Sequence, residues 1–162
     1  LRYIWLTEAA PRIDQLRPYL NPRIHPIVRG TAASLILRQG DPKQKAEATN
    51  TLRLMLTSPQ KQERVMGCRA LGDALYLQAL RLYISDLLQD PSLSVRCAVL
   101  EAIGATRSEE YYPSLLKGLH FKSTREAAKN ALVRLDNDAL SMLVKLADDL
   151  QLSDLVRGEA LS

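Results

Sequence analysis

Apolar residues recur at intervals of three and four along most of the chain, the spacing that places them on one face of an α-helix. Residues 90–104, "DPSLSVRCAVLEAIG", show this spacing with mostly small side chains. Their apolar stripe consists of Val95, Ala98, Val99, Ala102 and Ile103. The segment before them has a second stripe of larger side chains, namely Leu80, Tyr83, Ile84, Leu87 and Leu88. The pattern predicts two helices, the first rich in Leu and the second rich in Ala, joined by a turn at Asp90-Pro91.

The same pair of helices is predicted several times, because the phrase of the second helix is repeated. "PQKQERVMGCRALG" (59–72) aligns with "PSLSVRCAVLEAIG" (91–104), and further copies are "VRGTAASLIL" (28–37), "TREAAKNALVRL" (124–135) and "LVRGEALS" (155–162). Each copy has one arginine at the same position, and these are Arg29, Arg64, Arg96, Arg125 and Arg157. Successive arginines are separated by 35, 32, 29 and 32 residues. A period in this range predicts a solenoid of stacked helical hairpins.

The repeat divides the chain into hairpins of a single domain. We predict hairpins over about residues 8–40, 41–75, 76–106 and 107–136, and a partial hairpin over 137–162. The last phrase stops inside a helix and the chain begins with Leu1, so we interpret the chain as a fragment of a longer protein. Because such an array ends on an uncapped apolar surface, we expect self-association through the C-terminal end.

The phrase "DPSLSVRCAVLEAIG", with "ALRLYISDLLQ" before it, resembles the HEAT repeat. Its short period is similar to that of the bacterial repeats in bilin lyase-type HEAT proteins. The resemblance implies an all-α fold, a right-handed α-solenoid whose hairpins stack into a superhelix with the second helices on the concave face. It also implies a non-enzymatic scaffold of the cytoplasm that needs no cofactor and binds a protein partner on that face.

The resemblance further implies that the five repeated arginines form a ladder, in which each guanidinium binds an acidic or carbonyl group in a turn of the same or the neighbouring unit. Arginine suits this role because its planar fork satisfies several acceptors while its stem covers apolar surface. The alternative interpretation is a regularly spaced basic stripe for phosphate groups.

Two departures from the repeat affect this ladder. The acidic residue that ends a first helix is clear only at Asp90, because Ser58 and Leu119 stand at the equivalent positions of the neighbouring units. Glu63 stands where other units have an apolar residue such as Val95. We expect either that the helix containing Glu63 starts later or that this side chain lies in solvent.

The candidate partner-binding residues are those that point away from the apolar stripe of the second helices, since each residue turns a helix by about 100°. They are Val65, Cys68, Arg69, Cys97, Leu100, Glu101 and Lys129. An exposed apolar patch with polar flanks is typical of a protein-binding groove. The alternative is that the apolar members of this set pack sideways into the neighbouring helices.

The charge balance narrows the choice of partner. The chain has 22 Lys and Arg against 18 Asp and Glu, a net charge of +4, which does not by itself indicate a nucleic-acid binder. Residues 1–81 hold 13 basic and 6 acidic residues, and residues 82–162 hold 9 and 12, so only the first half favours nucleic acid. A single Trp and a single Phe leave few non-tyrosine rings for base stacking, which argues against that partner.

The sequence contains no motif that indicates catalysis or metal binding. It has no CxxC, no HExxH, no Gly-rich phosphate loop and no nucleophile paired with a base. No apolar run approaches the ~18 residues of a membrane span. The two cysteines, Cys68 and Cys97, cannot form a disulfide framework, which favours a reducing compartment.

Two other functions remain open. "NPRIHPIVRGTAASLILRQG" resembles stretches of bacterial proteins in which HEAT units follow a nucleotide-transporter-like membrane portion. That resemblance implies a soluble regulatory segment, tethered at a membrane by another part of the parent protein. The bilin lyase-type resemblance implies instead a lyase or chaperone-like subunit, and a covalent role for Cys68 or Cys97 would need an accessible thiol with a low pKa.

Overall fold

The computed structural model describes residues 9–136, 138–145 and 147–148. Its helices are α1 (Ala9–Leu16), α2 (Pro26–Gln39), α3 (Pro42–Leu56), α4 (Lys61–Ala74), α5 (Arg81–Leu88), α6 (Leu93–Thr106), α7 (Tyr112–His120) and α8 (Arg125–Leu135). Short 3₁₀ turns lie at Arg17–Leu20, Leu77–Leu80 and Glu109–Tyr111, and residues 138–145 are also helical. No strand occurs in this described part of the chain, and the predicted all-α fold is confirmed.

The helices form two layers. The second helices of the hairpins, α2, α4, α6 and α8, each pack on the next and make one continuous layer. Each first helix, α1, α3, α5 or α7, packs on the second helix of its own hairpin. Within the described ranges, no two first helices pack on each other as closely as consecutive second helices do. This arrangement is the predicted α-solenoid, and its right-handed sense stays a prediction.

One hydrophobic core runs through all four hairpins, from Ile13 in α1 to Leu135 at the end of α8. The first helices contribute large side chains to it, such as Leu52, Ile84 and Leu115, which are at most 1% exposed. The second helices contribute mainly Ala and Val, as the two stripes in the sequence predict. In each hairpin the first helix therefore provides the large core side chains, and the second helix provides small ones that allow close packing with its neighbours.

Small residues set the spacing of the second-helix layer. A methyl group added at Gly104 of α6 would lie 2.6 Å from the Cα of Ala131 in α8 and 2.8 Å from its carbonyl oxygen. The same addition at Gly72 of α4 would lie 3.4 Å from the Cα of Ala102 in α6. Glycine and alanine therefore allow the backbones of the second helices to approach closely.

Local hydrogen bonds start the first two long helices. Asp41 and Gln44 form a capping box at α3: the backbone N–H of Gln44 donates to Asp41 Oδ1 at 2.8 Å, and that of Asp41 donates to Gln44 Oε1 at 2.9 Å. At α2, the backbone N–H of Ile27 donates to Nδ1 of His25 at 3.2 Å. Pro26 and Pro42 occupy the first helical positions, where no intrahelical N–H is needed.

The period of the sequence is also present in the backbone where the second helices end. Leu75, Arg107 and Asp136 have positive φ angles of 55°, 53° and 49°, an uncommon conformation for residues other than glycine. Each follows the repeated arginine of its own helix by the same interval along the chain. In three consecutive units, the residue that follows the second helix therefore has a similar positive φ angle.

Candidate partner-binding site

Four of the five repeated arginines hold the turn that precedes their own helix, each by donating to a backbone carbonyl six or seven residues earlier. The bonds are Arg29 Nη1 to Pro22 O at 3.1 Å, Arg64 Nη1 to Ser58 O at 2.8 Å, Arg96 Nη1 to Asp90 O, and Arg125 Nε to Leu119 O at 3.0 Å. These side chains close the turns of their hairpins. The fifth arginine, Arg157, and the C-terminal end predicted to self-associate lie outside the described residues.

A two-point ion pair joins the second and third hairpins. Arg64 of α4 donates to both carboxylate oxygens of Asp90, from Nε to Oδ2 at 2.8 Å and from Nη2 to Oδ1 at 3.1 Å. Asp90 Oδ1 also accepts the backbone N–H of Ser92 at 2.8 Å. Burial alone would raise the pKa of Asp90, but the hydrogen bonds from Arg64 and Ser92 and the charges of Arg64 and Arg96 outweigh it, so the pKa lies below its usual value.

A different acidic residue joins the first and second hairpins. Ser58, at the position equivalent to Asp90, has no carboxylate, and Glu63 of α4 supplies one. Glu63 Oε1 lies 2.8 Å from Nη2 of the buried Arg29, an ion pair whose N–H is not aligned as a hydrogen bond. The Ser58 hydroxyl lowers the pKa of Glu63 more than burial raises it, and Arg29 lowers the pKa further.

The expectations for Glu63 are therefore wrong on both counts. Helix α4 begins at Lys61 and α6 begins at Leu93, each at the same distance before its repeated arginine, so α4 does not start late. The Glu63 side chain is only 21% exposed, so it does not lie in solvent. Its position immediately before a repeated arginine lets it face the arginine of the preceding unit.

At the third junction, neither of the two positions that supply the ladder's carboxylates is acidic. Leu119 stands at the position equivalent to Asp90, and Thr124 stands at the position equivalent to Glu63. Thr124 Oγ1 instead donates to the carbonyl of Gly118 at 2.7 Å. Among the described residues, Arg96 donates a hydrogen bond to the Asp90 carbonyl and forms no ion pair.

Three of the residues predicted to bind a partner are buried. Val65 is 8% exposed, Cys68 is 1% exposed and Leu100 is 4% exposed. Cys97 is half-buried, and its thiol donates to the carbonyl of Ser123 at 3.8 Å. The prediction that these residues line an exposed apolar groove is therefore wrong. The second helices pack so closely that side chains beside the apolar stripe are buried against neighbouring helices.

The charged residues of the predicted set are accessible. Arg69 of α4 and Lys129 of α8 are exposed, and Glu101 of α6 is half-buried. Arg69 and Glu101 occupy equivalent positions of their units, and Lys129 lies one residue before the equivalent position in α8. The three charged side chains lie on three successive second helices, α4, α6 and α8. We call these three residues the inner row.

Neither cysteine has the low thiol pKa that a covalent role in a bilin lyase-like subunit requires. Burial, with a smaller contribution from the charge of Asp90, raises the pKa of Cys68 to about 12. Burial and the charge of Glu101 also raise the pKa of Cys97. Both thiols are therefore protonated at neutral pH and behave as small apolar side chains.

The described residues contain no group of three or more His, Cys, Asp or Glu side chains placed to hold a metal ion. Within the same residues, no helix combines the length and the apolar character that crossing a bilayer demands.

The two helical layers and the repeated arginine define a helical-repeat protein of the α-solenoid class. The family model described as HEAT repeats matches residues 49–132, and the chain belongs to this family. HEAT repeats generally act as scaffolds for protein–protein interaction. The bilin lyase type is not distinguished by this match and stays a prediction. No curated protein sequence shows a significant match to the chain.

Proposed function

We propose that the chain is a non-enzymatic cytoplasmic scaffold that binds a protein partner on the exposed face of its second helices. The observation that carries this proposal is the direct packing of α2, α4, α6 and α8, which makes their outward positions one continuous surface. A single core through the four hairpins supports the further proposal that they act as one repeat domain with the predicted hairpin boundaries.

The spacing of the two layers supports the concave face as the binding surface. Close backbone contacts, such as Gly104 with Ala131, shorten the distance between second helices, whereas the first helices in the described ranges stand further apart. A stack with one compact and one expanded layer curves toward the compact layer. The second helices then line the inside of the curve, where a partner touches several units at once.

The composition of this face indicates the chemistry of the partner. The inner row presents Arg69, Glu101 and Lys129, which favours a partner segment with the complementary order of charges. Val133 lies one helical turn after Lys129 and is 67% exposed, so it adds an apolar contact beside the row. Exposed charges contribute mainly to orientation and association rate, and an apolar contact contributes more to affinity.

Site-specific photo-crosslinking tests the proposed face. A photoreactive amino acid replaces Lys129 on the second-helix layer in one variant and Leu82, which is 85% exposed on α5, in a control variant. We expect the variant at position 129 to capture one cellular protein repeatedly and the variant at position 82 not to capture it. Equal capture from position 82 would place the partner on the first helices, and capture from neither position would contradict the scaffold function.

A further inference from the structure

The three junctions between the described hairpins contain equivalent clefts, and only two of them hold an acidic side chain. The cleft at the first junction contains Arg29 with Glu63, and the cleft at the second contains Arg64 with Asp90. The third cleft, of about 470 Å³, lies between α5 and α7, and α6 forms its floor. None of the eleven described residues that line it is acidic.

The third cleft has positive charge that nearby carboxylates do not balance. Arg96 donates its hydrogen bond to the backbone carbonyl of Asp90, which is a neutral acceptor. Both side-chain oxygens of Asp90 accept hydrogen bonds from Arg64. Arg96 therefore has no ion-pair partner of its own among the described residues. The exposed Lys117 of α7 adds another positive charge to the lining of the cleft.

Apolar side chains stand beside these charges. Leu88 of α5 and Leu100 of α6 line the cleft, and Phe121, which follows α7, lines it while 54% exposed. A guanidinium with free N–H groups beside aliphatic and aromatic surface can bind a carboxylate and an adjacent apolar side chain together. An isolated anion would use the charges of the cleft and would leave this apolar surface in water.

We propose that the cleft between α5 and α7 binds an Asp or Glu side chain of the partner polypeptide, next to an apolar residue of the same segment. The partner's carboxylate takes the place that Glu63 and Asp90 occupy in the other two clefts, so it completes the arginine ladder from outside the chain. This inference rests on the proposed scaffold function and adds a second contact, on the first-helix layer, to the inner row.

Peptide titration of the full chain followed by NMR tests this site. The probes are the blocked peptides acetyl-GLELG-amide and acetyl-GLQLG-amide, which differ only in the charge of the central residue, and acetate alone. We expect the glutamate peptide to shift the Arg96 Nε–Hε resonance and the Lys117 amide resonance with a dissociation constant of about 1 mM, a usual value for so few contacts. The glutamine peptide should leave both resonances unchanged.

A pair of charge reversals locates the binding. Lys117→Glu changes an exposed side chain of the cleft, and Lys43→Glu makes the same change at an exposed side chain of α3, outside the cleft and outside the inner row. We expect Lys117→Glu to weaken binding of the glutamate peptide about tenfold, since like charges replace attraction. Lys43→Glu should change the affinity less than about twofold, because α3 contributes no residue to the cleft and only screened charge effects remain.

The possible results separate this inference from the proposed function. Equal shifts from acetate and the glutamate peptide would show a site for free small carboxylates and would overturn the peptide inference. Equal effects of the two charge reversals, or shifts from the glutamine peptide, would also overturn it. If photo-crosslinking at position 129 still captures the partner in these cases, the scaffold function stands and only the cleft is wrongly assigned.

Discussion

At the residue scale, Asp90 forms hydrogen bonds with two arginines of the ladder and with its own turn. Its carboxylate accepts both hydrogen bonds from Arg64 of the preceding unit and one from the amide of Ser92 in its own turn. Its backbone carbonyl accepts the hydrogen bond from Arg96. One aspartate therefore fixes a turn, joins two hairpins and anchors the next arginine of the ladder.

Asp90→Asn should lower the free energy of unfolding at pH 7 by roughly 1.5–3 kcal/mol, the contribution of a hydrogen bond to a charged group, since Asn keeps one acceptor oxygen. The folded-state pKa of Asp90 is lowered, so its charge stabilises the fold above the unfolded pKa of about 4 and stops doing so as the pH falls through the folded value. Urea unfolding at a series of pH values measures this: the difference between the two proteins should be full at pH 7 and shrink below about pH 4.

Asp86→Asn is the matched control for this prediction. Asp86 lies one helical turn earlier, is exposed, and its carboxylate has no hydrogen bond or ion pair among the described residues. The same chemical change there should alter the stability by less than about 0.5 kcal/mol. A loss of stability at Asp86 as large as at Asp90 would mean that net charge, and not the Arg64 contact, is responsible.

Individual residues show how far the sequence alone could predict the site. The turn contacts of the repeated arginines follow from a period that is visible in the sequence. The pairing of Glu63 with Arg29 could have been inferred from two departures from the repeat pattern. Ser58 lacks the carboxylate expected at its position, and Glu63 provides a carboxylate where other units have an apolar residue. The burial of Cys68 and Leu100 could not, because it depends on the distance between neighbouring helices.

At the element scale, the sequence predicted which segments are helical better than where they begin. The apolar stripe of the third unit predicted a first helix that includes Leu80, but α5 begins at Arg81 and Leu80 belongs to a 3₁₀ turn. The spacing of apolar residues is the same at the end of a 3₁₀ turn and at the start of an α-helix. Boundaries depend on hydrogen bonds that periodicity does not specify.

The contact between α6 and α8 leads to a prediction in which two glycines respond with opposite signs. Gly104→Ala should destabilise the protein by roughly 1–3 kcal/mol, because the added methyl group would lie 2.6 Å from a backbone atom of Ala131 and a helix must move. Gly72→Ala gives an ordinary contact of 3.4 Å and gains up to about 1 kcal/mol of helix propensity. Thermal unfolding of both variants measures the two effects, and a similar change in both would contradict the close approach at Gly104.

At the scale of the whole molecule, stability in a repeat array depends on the interfaces between neighbouring units. Two of the three junctions contain a largely buried ion pair of the arginine ladder, Arg29 with Glu63 and Arg64 with Asp90. At the third junction the described residues instead form the exposed ion pair of Arg81 with Glu110, and exposed ion pairs contribute little to stability. The tight packing of α6 on α8 remains at that junction, so the fourth hairpin is held mainly by apolar contacts. The third junction is therefore the place where we expect the array to open first.

Native-state hydrogen exchange measures this expected order of opening. Amides of α7 and α8 should exchange through an opening that costs roughly 1.5–3 kcal/mol less than the opening that exposes α4, which corresponds to the missing hydrogen bond to a charged group. Helix α2 is the control, because it lies toward the other end of the described array but its arginine is paired with Glu63. If α2 exchanges as fast as α8, position near an end of the array explains the result. If α2 is protected like α4 while α8 is not, the unpaired Arg96 is responsible, and the junction that opens most readily is also the one whose cleft we expect a partner's carboxylate to fill.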